Sequence, residues 1–196
     1  MTFLKSKAAN QIRTSLKKEF LMDELNIEIG GAIENTFDYS LPPKELDKQL
    51  SERMNKVKSG EIKPTHELSM LGYALDFIDF AKQTVNADMN FDEENLEPLC
   101  EIVGAIKESF AQEPPSNEIL ASYVKAVTGF FGVMVIKNLG GNWVETSAGI
   151  SVTVNGTTAF ITNRVSGIFS GADEDENVIS EIYGYLKDKR GTANAE

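Results

Sequence analysis

The sequence predicts an α+β fold: a mostly helical N-terminal body of about five helices, then a three-stranded antiparallel meander and a C-terminal helix. Three observations carry that expectation. Through roughly the first 139 positions apolar residues recur at steps of three and four, the period of a helix with one buried face. After Leu139-Gly140-Gly141-Asn142-Trp143 the period falls to two, with Ile150, Val152 and Val154 alternating with Ser151 and Thr153. Asn155-Gly156 then separates two β-rich runs, and both residues tolerate the positive φ of a tight hairpin turn. The meander is therefore expected over residues 142–163.

Taken in order, residues 8–37 read as one helix or two, broken at Gly30-Gly31, where paired glycines raise the entropic cost of helix. Leu25 to Ile29 also alternates and admits a short strand. The start is basic, with Lys5, Lys7, Arg13, Lys17 and Lys18 against Glu19 in the first twenty residues. Ile12, Leu16 and Phe20 at i, i+4, i+8 make it an ordinary amphipathic helix, since no secretory apolar core follows. Pro42-Pro43 opens the next helix, to about Lys58, with Leu46, Leu50, Met54 and Val57 on one face and Glu52 to Lys56 as an i, i+4 pair. Gly60 ends it.

A helix over about residues 64–86 carries a polar stripe of Ser69, Gly72, Asp76, Asp79 and Gln83, with Leu68, Leu71, Leu75 and Ile78 covering the rest. Another over about 92–111 sets Leu96, Leu99, Val103, Ile106 and Phe110 opposite Glu94, Glu97, Glu101 and Glu108. Pro114-Pro115-Ser116-Asn117 starts a helix to about Asn138, in which Gly129 and Gly132 signal close approach by a neighbour. The acidic run Asp173 to Glu176 precedes Val178, Ile179, Ile182 and Leu186, and reads as the negative N-terminus of the last helix.

At 196 residues the chain suits one domain, residues 1–190, with a small polar tail over 191–196 that is expected to be disordered. Thirty acidic against nineteen basic side chains give a formal charge of −11, which repels phosphate backbones and argues against nucleic acid. A single Cys100 cannot form an intrachain disulfide and suits a reducing, cytoplasmic compartment. The longest apolar stretch, residues 126–136, is too short for a hydrocarbon layer of about 30 Å, so no membrane partner is expected.

Patterns that carry chemistry fail at required positions. His66-Glu67-Leu68-Ser69-Met70 has Met where a zinc-protease helix needs its second histidine, and the chain has one histidine in all. That single imidazole would also have to serve any Ser-His or Cys-His arrangement, and no Gly-x-Ser-x-Gly elbow is present. Asp88-Met89-Asn90-Phe91-Asp92 opens like a calcium loop but has Glu93 and Leu99 where the loop needs Gly and Glu. Asp76 and Asp79 share a helix face, yet Ser69, Gly72 and Gln83 beside them suit a polar seam better than an acid/base pair. No phosphate-cradling glycine loop occurs. The expectation is no catalytic, cofactor-binding or metal-ligating residue and no cofactor.

The join from Gly132 through Leu139-Gly140-Gly141-Asn142-Trp143 reads as a glycine helix cap, with Lys137 at the carbonyl end and the Trp143 ring folded back on the helix. It resembles the Gly-x-x-Ile-x-x-x-Leu-Gly-Gly-x-Trp helix-to-strand join of small uncharacterised bacterial families, some associated with toxin-immunity gene neighbourhoods. Here Val135 stands at the isoleucine and Val133 where a Glu often follows the first glycine. The resemblance covers about the last eighty residues, and no catalytic residue carries over with it.

Two functional readings follow. The first is a non-enzymatic cytoplasmic binding protein, immunity-like or regulatory, that presents Glu94, Glu97, Glu101 and Glu108 to a basic protein partner. The second is a small-molecule-binding or weakly catalytic domain with a pocket between the sheet and the glycine-containing helix, lined by Phe131, Trp143 and Phe160, with Arg164 at the sheet end. Arg164 is the only basic side chain between Lys137 and Lys187, and it reads as the partner of a nearby carboxylate or as an anion contact.

Overall fold

The structure, a computed structural model, describes residues 31–146, 149–170 and 175–193. The architecture is α+β. A short strand β1 (Gly31–Ile33) leads to helices α1 (Pro43–Lys58), α2 (His66–Val85), α3 (Leu96–Gln112) and α4 (Asn117–Leu139). Strands β2 (Asn142–Thr146), β3 (Gly149–Val154) and β4 (Thr157–Ala159) follow, then helices α5 (Ile161–Ser170) and α6 (Asn177–Ala193). The strands form one antiparallel sheet in the order β1-β2-β3-β4.

The expected meander is present as β2-β3-β4, and the Asn155-Gly156 turn has positive φ at both residues (47° and 76°), as the sequence requires. Three expectations need correction. Residues 31–33, assigned to the helical 8–37 stretch, form a fourth strand: Gly31, Ala32 and Ile33 pair with Glu145, Val144 and Trp143. The sheet ends at Ala159 rather than 163, because Ile161 opens α5, and Thr162 Oγ1 donates to the Ile150 carbonyl at 2.6 Å and pins the new helix to β3. At the C-terminus α6 continues to Ala193, so residues 191–193 belong to a helix and not to the tail. The readings of residues 8–30 as helix, or of 25–29 as strand, fall outside the described residues.

Local chemistry sets the helix ends. After α1, Gly60 (φ 77°) lets its own N–H reach the Val57 carbonyl and the Glu61 N–H reach that of Lys56, the double bond of a Schellman cap. Thr65 and Ser116 accept from Leu68 N–H and Ile119 N–H as the N-caps of α2 and α4. Asp175 accepts from Asn177 N–H at the start of α6, where the acidic run was expected to cap.

Helix α4 is the axis of the core and is buried along almost its whole second half. It is long and apolar enough to cross a membrane, but 72% of its apolar window is buried inside the protein. Gly129 explains its closest contact: a Cβ there would lie 2.6 Å from the Met70 carbonyl oxygen and 2.9 Å from the Ala74 nitrogen, so α2 and α4 meet backbone to backbone. Gly132 admits the Trp143 ring, which any Cβ at 132 would overlap. The register places Ile33, Trp143, Val152 and Ala159 side by side across the four strands, a single row facing the core.

Candidate functional site

Helix α3 buries Leu99, Cys100, Ile102, Val103 and Ile106 and turns its opposite side outward. Glu97, Glu101 and Glu108 are exposed there, and Glu94 is exposed in the 3-10 turn (Glu93–Asn95) that precedes it. Spacings of four and seven hold the three helical carboxylates on one face. Helix α6 covers the adjacent flank, where Cys100 Sγ lies 3.2 Å from Ser180 Oγ and Glu176 reaches over Gly104. Burial pushes the Cys100 thiol above its ordinary pKa, which keeps it protonated and inert. Lys187 of α6 pairs with Glu93 at 2.5 Å, and that hydrogen bond holds the Glu93 carboxyl below its usual range. All four of these acidic residues are exposed, three of them on one face of α3.

The four residues expected to line a pocket do not share an environment. Phe131 and Trp143 are fully buried in the core, Phe160 is 47% exposed just before α5, and Arg164 is exposed one turn later. The Trp143 ring fills the space over Gly132 where that pocket was expected. Lys137 also has a different role from the one expected at the helix end: its ammonium pairs with Asp92 at 2.7 Å. Arg190 instead donates to the Asn138 carbonyl at the α4 terminus.

An open groove of ≈ 810 Å³ runs between α1 and α2. Its floor includes Leu50, Met54, Leu75 and Ile78, and Asp76 and Asp79 lie along it. The acidic pair read from sequence therefore borders a surface groove, with Asp47, Lys44 and Lys58 on the facing helix.

Sequence reasoning missed Glu67. It is fully buried and receives four hydrogen bonds: Thr36 N–H (2.8 Å), Thr36 Oγ1–H (2.6 Å), Phe37 N–H (3.2 Å) and Tyr39 O–H (2.9 Å). Trp143 Nε1–H donates in turn to the Tyr39 oxygen at 3.4 Å. Arg53 of α1 bonds the Thr36 hydroxyl and carbonyl, and its guanidinium sits 4.8 Å from the centre of the Phe37 ring. Burial, with the Glu67 charge behind it, drives the Tyr39 hydroxyl far above the ordinary tyrosine value, so it stays a donor. Both carboxylate oxygens are occupied by the protein's own donors, and the arrangement staples residues 36–39 to the start of α2. Next to it, His66 Nε2 lies 3.3 Å from Glu145 Oε2 on β2 without hydrogen-bond alignment.

The calcium-like string is also structural. Met89 and Phe91 are buried, Asn90 Oδ1 accepts from Asp92 N–H and Asn95 Nδ2, and Asp88 and Asp92 pair with Lys82 and Lys137. Among the described residues no group of three or more His, Cys, Asp or Glu side chains is placed to hold a metal ion. No protein-family model, no curated protein and no solved structure matches the chain.

Proposed function

We propose that this protein is a binding module that offers the outer face of α3 to a basic surface of a protein partner in the cytoplasm, in an immunity-like or regulatory role. The observation that supports it is the exposed row of Glu97, Glu101 and Glu108 on a helix whose other side is packed into the core, with Glu94 exposed in the 3-10 turn just before it. A rigid helix holds these charges at fixed spacing, so a complementary partner meets them without an ordering cost in the backbone. The field of a chain carrying −11 steers such a partner and repels acidic ones. The resemblance of the Gly132 to Trp143 join to families from toxin-immunity neighbourhoods points the same way.

The test is capture from the native host at low and moderate salt, using the intact chain and a variant carrying Glu94→Gln, Glu97→Gln, Glu101→Gln and Glu108→Gln. A stoichiometric basic partner, retained at low salt and lost with the four amides, is expected. Equal capture by the neutralised variant, with circular dichroism showing both folded, would remove the reading.

A further inference from the structure

The tip of the β3–β4 hairpin combines features that favour chemistry on the chain itself. Asn155 and Gly156 are both exposed, and they form the whole of a two-residue loop closed by the Val154–Thr157 pair. This is the only place in the sequence where glycine follows asparagine. Nothing lies within 4 Å of a Cβ built on Gly156, so neither a side chain of its own nor a neighbour fences its amide nitrogen from the Asn155 side chain. Other side-chain amides are held in place. Asn35 Nδ2 donates to the Gly141 carbonyl at 2.6 Å, Asn95 Nδ2 to Asn90 Oδ1 at 2.8 Å, and Asn138 Nδ2 to the Phe91 and Met134 carbonyls, both at 2.8 Å. Each is followed by a residue with a β-carbon, Thr36, Leu96 or Leu139, which crowds attack by the next nitrogen.

We infer that Asn155 is a site of spontaneous deamidation and backbone isomerisation, a modification that needs only water and hydroxide. The Gly156 nitrogen, having lost its proton to hydroxide, bonds to Asn155 Cγ; the Cγ–Nδ2 bond breaks and ammonia leaves. The product is a five-membered succinimide whose nitrogen holds both Cγ and the main-chain carbonyl carbon of residue 155. Water then opens the ring. Cleavage at Cγ leaves aspartate in the ordinary chain, whereas cleavage at the main-chain carbonyl carbon leaves isoaspartate, with the chain running through Cβ and Cγ. Either product adds one negative charge to a chain that carries −11.

The fold sets both the rate and the consequence. Asn155 (φ 47°) and Gly156 (φ 76°) are held in the hairpin turn, and ring closure takes the backbone out of that turn. Strand β4 is three residues long and lies at the edge of the sheet, so this hairpin opens locally without unfolding the core. Isoaspartate lengthens the main chain of a two-residue loop whose length fixes the register, so Val154 and Thr157 lose their pairing. Through β4 the change reaches Ala159, buried in the row with Val152 and Trp143. The site is a timer at the sheet edge, and it stands or falls independently of any partner at α3.

The experiment ages the purified full chain in mildly acidic and mildly alkaline buffer and follows every asparagine by peptide mass spectrometry, with electron-transfer fragmentation to separate isoaspartate from aspartate. Residue 155 should convert before any other asparagine, mostly to isoaspartate, and faster in the alkaline buffer. Asn155→Gly keeps a residue suited to positive φ and has no amide to lose, so its hairpin peptide should stay unmodified over the same time. A different asparagine converting first, aspartate without isoaspartate, or a rate indifferent to hydroxide overturns the inference. Hydrogen exchange on the aged chain reads the consequence. The amides of residues 157–159 should lose at least about tenfold of their protection, a loss absent from aged Asn155→Gly, while those of α4 keep theirs. Unchanged protection at 157–159 in the isoaspartate form overturns the link to the sheet edge.

Discussion

Helices α3 and α4 are both apolar and both carry a mid-helix glycine, yet one is buried on nearly every side and the other turns a row of glutamates to solvent. The difference lies in what occupies the missing Cβ. At Gly129 and Gly132 of α4 the space is taken by the α2 backbone and by the Trp143 ring, neither of which can retreat. At Gly104 of α3 it is taken by the carboxylate end of Glu176, 3.2 Å away and on a flexible stem. A glycine that admits backbone or a large ring fixes the core; one that admits a side-chain tip only tolerates a neighbour. The packing at these glycines is thus fixed around α4, whereas at Gly104 the α3–α6 contact leaves a side-chain tip room to adjust.

The comparison breaks most visibly at Trp143. Trp143→Ala removes a fully buried indole that fills the Gly132 gap and donates to Tyr39, and should cost about 3–5 kcal/mol in chemical denaturation. A loss under about 1 kcal/mol would mean that the sheet is not anchored through this ring. Next in size is Gly132→Ala, where the added methyl must displace that same ring in a close-packed core, at about 1–3 kcal/mol. The two changes touch one contact, so their effects should be strongly non-additive in a double-mutant cycle.

These two residues were legible in the sequence, and the reason is local. Leu139-Gly140-Gly141-Asn142-Trp143 and Asn155-Gly156 declare backbone requirements within a few positions, so the positive φ at the join, the buried ring and the hairpin could be read directly, although Gly140 pairs its φ of 78° with an extended ψ of −174° and not with the left-handed helical cap expected there. The exposed acidic face of α3 followed from its periodicity alone. By contrast, β1 is three residues whose strand character comes entirely from pairing with β2 more than a hundred positions away. Glu67 is similar: its donors lie 28–31 residues upstream, and nothing adjacent to it signals a buried carboxylate. Helix α5 was hidden for another reason, since Ile161 and Thr162 are β-branched and extend the strand-like run of β4. Packing on α4 and the bond to Ile150 outweigh that preference.

Gly140→Val separates backbone strain from packing. Gly140 has φ 78° with nothing within 4 Å of an added Cβ, so the whole expected cost, about 1–3 kcal/mol, comes from a conformation that valine avoids. An unchanged melting temperature would remove the cap from the account of the helix-to-sheet join. The buried tyrosines give a pH-dependent counterpart. Burial raises the Tyr123 hydroxyl above the ordinary 10.0, so in the folded state it stays protonated where the unfolded chain ionises. Stability is therefore complete below pH 10 and falls as pH rises above it, by about 1.4 kcal/mol per pH unit for each such tyrosine. Tyr123→Phe should lessen that alkaline slope by one proton's worth, and an unaltered slope would show that this ring opens to water before the molecule unfolds.

Gly104→Ala is the smallest change and carries the opposite sign. A Cβ at 104 meets only Glu176, at 3.2 Å, and the acidic tip can swing aside toward solvent. Against that small adjustment, alanine relieves the entropic penalty of glycine inside a helix, worth about 0.8–1.0 kcal/mol. The net result should be a gain of about 0.5–1 kcal/mol in denaturant titration, with the α3 glutamates still exposed. A loss of stability comparable to that of Gly132→Ala would place Gly104 with the glycines of α4 and make the α3–α6 contact part of the rigid core.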